Sequence, residues 1–413
     1  MQFIDEVWIL LGEKSEQWVA YLFVAVAGIL AWIIFRLVVR WGQQVLCFLR
    51  SRQRTLKAIG REVSRDGNRE GNGVWLTKPI HQPDDYETRI GALRVLAIAN
   101  LKGGVGKTTL TANLGAYFAR DRGLRVLLVD LDFQGSLSSM AFPDGGWIPQ
   151  QRQSSIATRV ISNDLSPDLL PELAHTVDLG NGANRTGKLE VVTAYYDLAQ
   201  ADNRIMVEWL LKCRPRVSKG IRQAVADVIL GKAFRTDDVR YTLAEMLHSK
   251  PVRNAYDLVI IDCPPRLTTS EIQAFCAASH LLIPTIMDRP SAEAVVSLCR
   301  QVETLKQAGI CPHLKYVGVV GTMWQEGRLA NGPAVQQITD ALHSAAPAVS
   351  VLDEQTFVRR ATALVNDADT GIAYIVMNAV NGFAVRQAIE ALANEVAARM
   401  GLAMLPNYRN PGR

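Results

Sequence analysis

One short stretch of the sequence limits the folds open to this chain: a glycine-rich loop between a predicted strand and a predicted helix. The loop and the residues after it read NLKGGVGKTTLTAN, from Asn100 to Asn113. Before it, residues 93–100 form a short apolar run with β-branched residues, which is typical of a buried parallel strand. After it, apolar residues recur at helical spacing until Gly123, where we expect the helix to end. This order of strand, loop and helix predicts a doubly wound, mostly parallel α/β sheet.

The loop contains the residue types that hold a nucleotide phosphate. Gly103, Gly104 and Gly106 let successive backbone N–H groups turn toward one anion, and the start of the helix adds a partial positive charge. We expect Lys107 to reach the β- and γ-phosphates and the Thr108 hydroxyl to ligate Mg²⁺. An ordinary glycine turn before a helix is the alternative, but the flanking strand and helix favour the phosphate site.

Two further apolar runs end in carboxylates. Residues 124–132 end in Asp130 and Asp132, and residues 256–262 end in Asp262. The C-terminal ends of parallel strands form the edge at which open α/β sheets bind ligands. We therefore expect Asp262 to hold Mg²⁺ through water, as a Walker B aspartate does. A single aspartate at a strand end is often only a helix cap, whereas three strand ends with phosphate or metal groups indicate a nucleotide site.

The loop departs from the usual phosphate-binding pattern at its first position. The pattern G-x-x-x-x-G-K-[ST] requires glycine where this chain has Leu101, and an additional lysine, Lys102, follows. This form, K-G-G-x-G-K-[ST], resembles the deviant Walker A motif of the ParA/MinD group of P-loop ATPases. The resemblance runs from about residue 93 to 402 and is weak over 147–186. It is carried by KGGVGKTT (102–109), VDLDFQGSLS (129–138) and YDLVIIDCPP (256–265), and less specifically by LLIPTIMDRPSAEAV (281–295) and VGVVGTMW (317–324).

The resemblance implies a role for each motif residue. Lys102 would reach across a homodimer to the phosphates bound by the partner subunit, so that ATP lies between two chains and its hydrolysis depends on dimerisation. Asp132 would position the attacking water, which makes the catalytic set Lys102, Lys107 and Asp132. The implied metal-binding set is Thr108, Asp262 and Asp130. The implied nucleotide-binding set is Gly103, Gly104, Val105, Gly106, Lys107, Thr108 and Thr109, the last at the α-phosphate.

One position in these motifs differs from the family pattern. The family usually has D-P-Q after the second strand, whereas this chain has Asp132, Phe133 and Gln134. Because proline fixes φ and phenylalanine does not, the segment after the second strand lacks a backbone restraint that the family pattern has.

The N-terminus contains a candidate membrane span. Residues 17–35 carry no charge, and with the apolar residues after Arg36 the run is long enough to cross a hydrocarbon core about 30 Å thick. Aromatic residues that prefer the membrane interface lie near both ends: Trp18, Tyr21, Trp32 and Trp41. We predict a single transmembrane helix over residues 17–40, with a buried core helix as the alternative.

The charge after this helix predicts its orientation. Residues 36–69 hold nine basic and two acidic residues. The positive-inside rule therefore places residues 1–16 outside and the ATPase domain in the cytosol, at a bacterial inner membrane. We predict a basic juxtamembrane segment and linker over 41–90 that meets anionic lipid, although a solvated linker has a similar composition.

The ATPase domain is predicted over residues 91–404, followed by a tail at 405–413. Within it, residues 212–240 hold eight basic and three acidic residues, which suits either nucleic acid or a solvated helix face. The polar, glycine-rich stretch at 145–187 is a variable insertion and a candidate surface for an unknown protein partner. The six cysteines lack disulfide or metal-ligand spacing, which indicates reduced cytosolic thiols.

These features together predict a membrane-anchored ATPase that binds ATP and Mg²⁺ and acts as a switch for positioning or partitioning a cargo. A bacterial tyrosine kinase is one alternative, but such kinases resemble D-x-D-x-R, and Gln134 stands in place of the arginine here. Their C-terminal tyrosine cluster is also lacking, since only Tyr408 follows Leu402. A nucleotide-dependent scaffold without significant hydrolysis is the second alternative.

Overall fold

The computed structural model describes residues 24–43, 73–76, 82–83, 85–150, 153–180, 183, 186–212, 238–325, 331–360, 371–377 and 383–402. The chain forms two compact units, Met1–Ala58 and Ile59–Arg413. In the first unit the described residues form one helix, α1 (Val24–Gln43), whose mean hydropathy is 1.9. By length and composition α1 could cross a membrane, and none of it is buried within the structure. Residues 17–23 of the predicted span lie outside the described residues.

The second unit alternates strands and helices. Its strands are β1 (Arg94–Ile98), β2 (Arg125–Asp130), β3 (His175–Thr176), β4 (Lys188–Val192), β5 (Leu258–Asp262), β6 (His280–Ile286), β7 (Lys315–Trp324) and β8 (Val358–Arg359). Its α-helices are α2 (Tyr86–Ile90), α3 (Lys107–Arg120), α4 (Ser136–Ala141), α5 (Ile156–Ile161), α6 (Leu170–Leu173), α7 (Asp197–Lys212), α8 (Thr242–Leu247), α9 (Lys250–Ala255), α10 (Thr269–Ala277), α11 (Arg289–Gln307), α12 (Asn331–Ala345), α13 (Ala373–Val376) and α14 (Phe383–Met400).

The eight strands form one sheet in the order β3-β4-β2-β5-β1-β6-β7-β8. All neighbours are parallel except β3, which is antiparallel to β4. The predicted doubly wound, mostly parallel α/β fold is therefore confirmed. The strands predicted before the glycine loop and before the two carboxylate motifs are β1, β2 and β5, and the last four residues of each are buried.

The register of the central strands places the motif residues together. Ile98 at the end of β1 pairs with Asp262 at the end of β5, and Asp130 at the end of β2 pairs with the same Asp262. The glycine loop leaves β1 at this edge and leads into α3. That helix ends at Arg120, slightly before the predicted stop, and Gly123 makes the turn beyond it with φ 69°.

Both edges of the sheet end in short strands. The outermost strands, β3 and β8, have two residues each. Next to β8, the outer side of β7 has further partners: Val319 donates to the Ser350 carbonyl at 2.9 Å, and the Val317 carbonyl accepts from Arg399 at 2.8 Å. β3 belongs to the predicted insertion at 145–187, whose described residues also form α5 and α6.

Part of the predicted linker packs into the second unit. Trp75 is 3% exposed and stacks on Trp209 of α7, with ring centroids 6.0 Å apart. Its carbonyl accepts from the Arg240 guanidinium at 2.6 Å. Further along, the Tyr86 hydroxyl donates to the Cys276 carbonyl, and the Tyr86 ring lies edge-on to Tyr241. Residues 73–76 and 85–90 therefore contribute to the same core as the eight-stranded sheet, whereas residues 44–72 lie outside the described residues.

This packing predicts that the Trp75→Ala variant of the full chain loses about 3–5 kcal/mol of unfolding free energy, the usual cost of truncating a buried aromatic residue. The measurement is chemical denaturation followed by far-ultraviolet circular dichroism. Tyr196→Ala is the matched control because Tyr196 is 58% exposed. Equal stability of the two variants would show that the segment around Trp75 does not support the fold.

Candidate functional site

The candidate site lies at the C-terminal edge of the sheet, where β1, β2 and β5 end. The glycine loop occupies residues 99–106, between β1 and α3. Gly104 and Gly106 have φ angles of 72° and 83°, in the left-handed region that glycine adopts without strain. These angles allow the loop backbone to turn toward the N-terminus of α3. A bound anion is favoured at that end of a helix. The sequence predicted this strand–loop–helix unit correctly.

Neighbouring strands hold the loop in place. The Asn100 side chain donates to the Pro284 carbonyl of β6 at 2.7 Å and accepts from the Lys102 N–H at 2.9 Å. Thr322 of β7 donates its hydroxyl proton to the Val105 carbonyl at 2.9 Å. Sequence reasoning missed both Asn100 and Thr322 as loop-supporting residues. Asn100 ends the apolar run predicted before the loop, and Thr322 lies in the stretch VGVVGTMW that carries part of the resemblance, but neither signal indicated a contact with the loop.

Lys107 opens α3 and is almost fully buried, at 7% exposure. Its ammonium donates to the carbonyls of Asn100 and Lys102, at 3.2 Å each. Both carbonyls belong to the glycine loop. The Lys107 ammonium therefore lies at the loop that we predicted from the sequence to bind phosphate.

Thr108 and Asp262 are brought together as the sequence predicted. The Thr108 hydroxyl donates to Asp262 Oδ2 at 2.7 Å. The other carboxylate oxygen, Oδ1, is buried and has no hydrogen-bond partner among the residues that the structure describes. Burial, and then the nearby Asp130, hold the pKa of the Asp262 carboxyl well above its usual range. A buried carboxylate with one free oxygen beside a threonine hydroxyl fits Mg²⁺, which prefers oxygen ligands and keeps several waters and phosphate oxygens in its shell.

Asp130 has a different environment from its neighbour. Its Oδ2 accepts from the Ser138 N–H at 3.0 Å and the Ser138 hydroxyl at 2.7 Å, and its Oδ1 accepts from the Asp132 N–H at 3.1 Å. Burial raises the pKa of the Asp130 carboxyl to about 7. Both oxygens thus organise the segment between β2 and α4, and a metal-supporting role for Asp130 remains a prediction.

Asp132 is partly buried and stands at the start of a tight turn. Its Oδ1 accepts from the Gln134 N–H at 3.1 Å, and its carbonyl accepts from the Gly135 N–H at 2.9 Å. The turn fits closely against Trp147 of the insertion and against the segment after β4, since a Cβ on Gly135 would lie 2.8 Å from the Ala194 carbonyl and 3.0 Å from Trp147. The backbone therefore sets the position of the Asp132 side chain.

Lys102 contacts its own chain at the start of α11. Its ammonium donates to the Ser291 hydroxyl at 2.7 Å and lies 3.5 Å from Asp288 Oδ1. Asp288 caps α11 by accepting from the Ser291 N–H at 2.8 Å. Partial burial alone would raise the pKa of the Asp288 carboxyl, but the hydrogen bonds of Ser291 and the charge of Lys102 lower it below its usual value. Sequence reasoning missed this contact, for which the D-x-P-S cap after β6 was the only signal.

Within the described parts of the chain, no group of three or more His, Cys, Asp and Glu side chains could hold a metal ion. The described cysteines, Cys263, Cys276, Cys299 and Cys311, are free and buried. Burial raises the pKa of each of these thiols, which makes them unreactive.

Most of the basic stretch at 212–240 lies outside the described residues, which resume at Asp238. Arg240 is fully buried, pairs with the Asp238 carboxylate and stacks on the Trp209 ring, 4.7 Å from its centroid. Arg240 therefore serves the core and is not exposed to nucleic acid. For residues 213–237 the nucleic-acid hypothesis stays a prediction.

Comparison with known proteins agrees with this site. A protein-family profile described as an AAA domain matches residues 93–316. Chromosome partitioning protein ParA of Caulobacter vibrioides is 32% identical over 232 residues, which cover 56% of this chain and 70% of that protein. The chromosome-partitioning ATPase Soj of Thermus thermophilus is 30% identical over 236 residues, or 57% of this chain and 71% of Soj. ParA of Myxococcus xanthus is 30% identical over 231 residues, and the match spans 65% of that relative's length.

Solved structures show the same fold. A complex of a Cyanothece McdA variant with ATP superposes with a TM-score of 0.55 at 17% identity, covering 76% of this chain and 99% of that one. Cobyrinic acid a,c-diamide synthase of Mycobacterium smegmatis, with bound ADP and magnesium, gives a TM-score of 0.52 at 23% identity, covering 77% and 99%. At these identities the likeness concerns the fold alone. With the matched family profile and the ParA relatives, it establishes that this chain belongs to the ParA/MinD-like family of P-loop ATPases.

Proposed function

We propose that this protein is a membrane-anchored ATPase that binds ATP with Mg²⁺, dimerises around the nucleotide and hydrolyses it slowly. Its two nucleotide states would act as a switch for positioning or partitioning a cargo at the cytoplasmic face of the membrane. The observation that carries the proposal is the pairing of Thr108 with Asp262, whose second oxygen is buried without a partner in the described part of the chain. This pair lies beside the loop that holds the buried Lys107.

The residues of the loop would bind the nucleotide. Lys107 would exchange its bonds to the loop carbonyls for bonds to the β- and γ-phosphates, and the glycine N–H groups would hold the same anion. Thr108 and Asp262 would hold Mg²⁺, with Asp130 as outer support, and the bound ion would neutralise phosphate charge. The nucleotide and magnesium in the structural relatives support this assignment.

Hydrolysis would need two further groups. Asp132, fixed by its turn, would orient the attacking water. Lys102 would be supplied by the partner subunit and would stabilise the charge that develops on the transferred phosphoryl group. In the single chain Lys102 contacts Asp288 and Ser291, and its side chain is 32% exposed. An exposed ion pair is weak, so the lysine can leave it when a phosphate becomes available.

Membrane attachment is supported by α1 and by the charge beyond it. The helix has 20 residues with a hydropathy of 1.9, and basic residues follow it. We assign residues 17–40 to a single span of a bacterial inner membrane, 1–16 to the outside, 41–90 to the lipid-facing segment and linker, and 91–404 to the cytosolic ATPase domain. The named chromosome-partitioning relatives support partitioning as the type of process, with a protein partner that is not identified.

The two loop lysines give the first functional prediction. Lys107→Ala should abolish ATP binding, because it removes the cation at the phosphates. Lys102→Ala should keep ATP affinity while losing ATP-dependent dimerisation and about 10³-fold or more of the hydrolysis rate, as expected for a finger residue. The measurements are ATP titration, sedimentation and phosphate release, with Lys188→Ala at the start of β4 as control. A Lys102→Ala chain that dimerises and hydrolyses ATP normally would disprove the cross-subunit role.

Asp132→Ala should reduce kcat by about 100-fold or more without weakening ATP binding, since positioning of the water matters in the transition state. The variant should accumulate as an ATP-bound dimer, which can be measured by sedimentation with ATP. Asp178→Ala is a matched control because Asp178 makes the same kind of turn, accepting from the Gly180 N–H at 2.9 Å. Unchanged hydrolysis in Asp132→Ala would assign the water-positioning role to another residue.

The membrane proposal predicts that wild type, Lys107→Ala and Asp132→Ala all stay in the membrane fraction after a carbonate wash. A spanning helix holds the protein independently of its nucleotide state, in contrast to a weak amphipathic helix. A chain that lacks residues 1–43 is the control and should be soluble. Extraction of any of the three full-length proteins, or protease cleavage of the C-terminus from outside, would contradict the single-span topology.

A further inference from the structure

The segment that carries Asp132 is a β-turn with Phe133 at its second position. The turn is closed by the hydrogen bond from the Gly135 N–H to the Asp132 carbonyl, at 2.9 Å. Proline is favoured at the second position of such a turn because its ring presets φ. Phe133 cannot restrain the backbone in that way, but its side chain makes a contact that can.

The Phe133 ring packs against the guanidinium of Arg266. The Cζ atom of Arg266 lies 5.1 Å from the ring centroid, within the range of cation–π attraction. The ring is half-buried and also packs against the hydrophobic core, whereas Arg266 is exposed. The ring therefore has the core on one side and a cation on another.

Arg266 itself belongs to a restrained loop. It follows Asp262 after two consecutive prolines, Pro264 and Pro265, whose φ angles are fixed. Beyond it the loop enters α10, where the Ser270 N–H donates to the Asp202 carboxylate of α7 at 2.8 Å. The guanidinium is thus attached to a segment that is restrained on both sides.

We propose that Phe133 and Arg266 are a positioning pair for Asp132, an inference that rests on the proposed ATPase function. The guanidinium holds the ring, and the ring restrains the turn that a proline would otherwise restrain. The contact joins the segment after β2 to the loop after β5, so the predicted water-positioning carboxylate is kept in register with the Thr108–Asp262 pair. Neither member of the pair contacts the nucleotide in this role.

The test is a double-mutant cycle on the full chain in detergent, with kcat, KM and ATP affinity measured for each protein. Arg266→Met removes the charge and keeps the aliphatic chain, and Phe133→Leu removes the ring and keeps an apolar side chain. Each change should lower kcat by about two- to fivefold, the range expected for an exposed cation–π contact, with ATP affinity unchanged. The double variant should lose no more than either single variant, because the two changes remove one interaction.

Rescue separates a positioning role from a purely structural one. Phe133→Pro in the Arg266→Met chain should give a higher kcat than Phe133→Leu in the same chain, because the proline restores the restraint from the backbone. Arg266→Lys should keep part of the activity because it keeps the cation. Arg386→Met is the control, since Arg386 makes a similar contact 5.0 Å from the Tyr374 ring on another face, and its kcat should equal that of wild type.

Three results would overturn the pair: losses that multiply in the double variant, a loss confined to one single variant, or no rescue by proline. If the wild-type protein hydrolyses ATP, any of these three results contradicts the pair but leaves the proposed ATPase function intact. A wild-type chain that binds ATP but does not hydrolyse it overturns the ATPase function and the pair together.

Discussion

The parallel register of three central strands brings two carboxylates side by side in the core, and the rest of the site depends on this arrangement. Asp130 of β2 and Asp262 of β5 are paired residues at the same edge, and both are fully buried. Burial away from solvent raises the pKa of both carboxyls, and the charge of Asp130 raises the pKa of Asp262 further. The surrounding hydrogen-bond donors and the loop lysine reduce this cost.

The two carboxylates are compensated in different ways. Asp130 uses both oxygens on donors of its own chain, Ser138 and Asp132, and so fixes the segment after β2. Asp262 uses one oxygen on Thr108, and no described residue hydrogen-bonds to its other oxygen. The first is therefore suited to organising a turn, and the second to meeting a ligand. The end of β2 thus supplies an aspartate with a structural role, Asp130, and the end of β5 supplies a candidate metal ligand, Asp262.

The parts of the site that could be predicted from the sequence are those with local signals. The glycine loop is continuous in sequence, and each strand end carries its own carboxylate, so Lys107, Thr108 and Asp262 were placed correctly at one edge. Contacts between distant segments had no such signal. The contact of Lys102 with Asp288, and that of Phe133 with Arg266, depend on where separate loops meet at the sheet edge. Trp75 lies in a stretch whose composition resembles a solvated linker, and only the fold shows that it is buried.

The short edges of the sheet have a consequence for self-association. A long unpaired strand at an edge is a template on which a second chain can extend the sheet, and proteins crowded together aggregate by this route. Here β3 and β8 each have two residues, and the backbone of β7 beside β8 bonds to Ser350 and Arg399. The described sheet therefore offers little unpaired strand backbone through which two copies of this protein could extend each other's sheet, even at high protein concentration. Association through the described edges of this sheet would therefore rest on side chains, and contacts of that kind can be reversible.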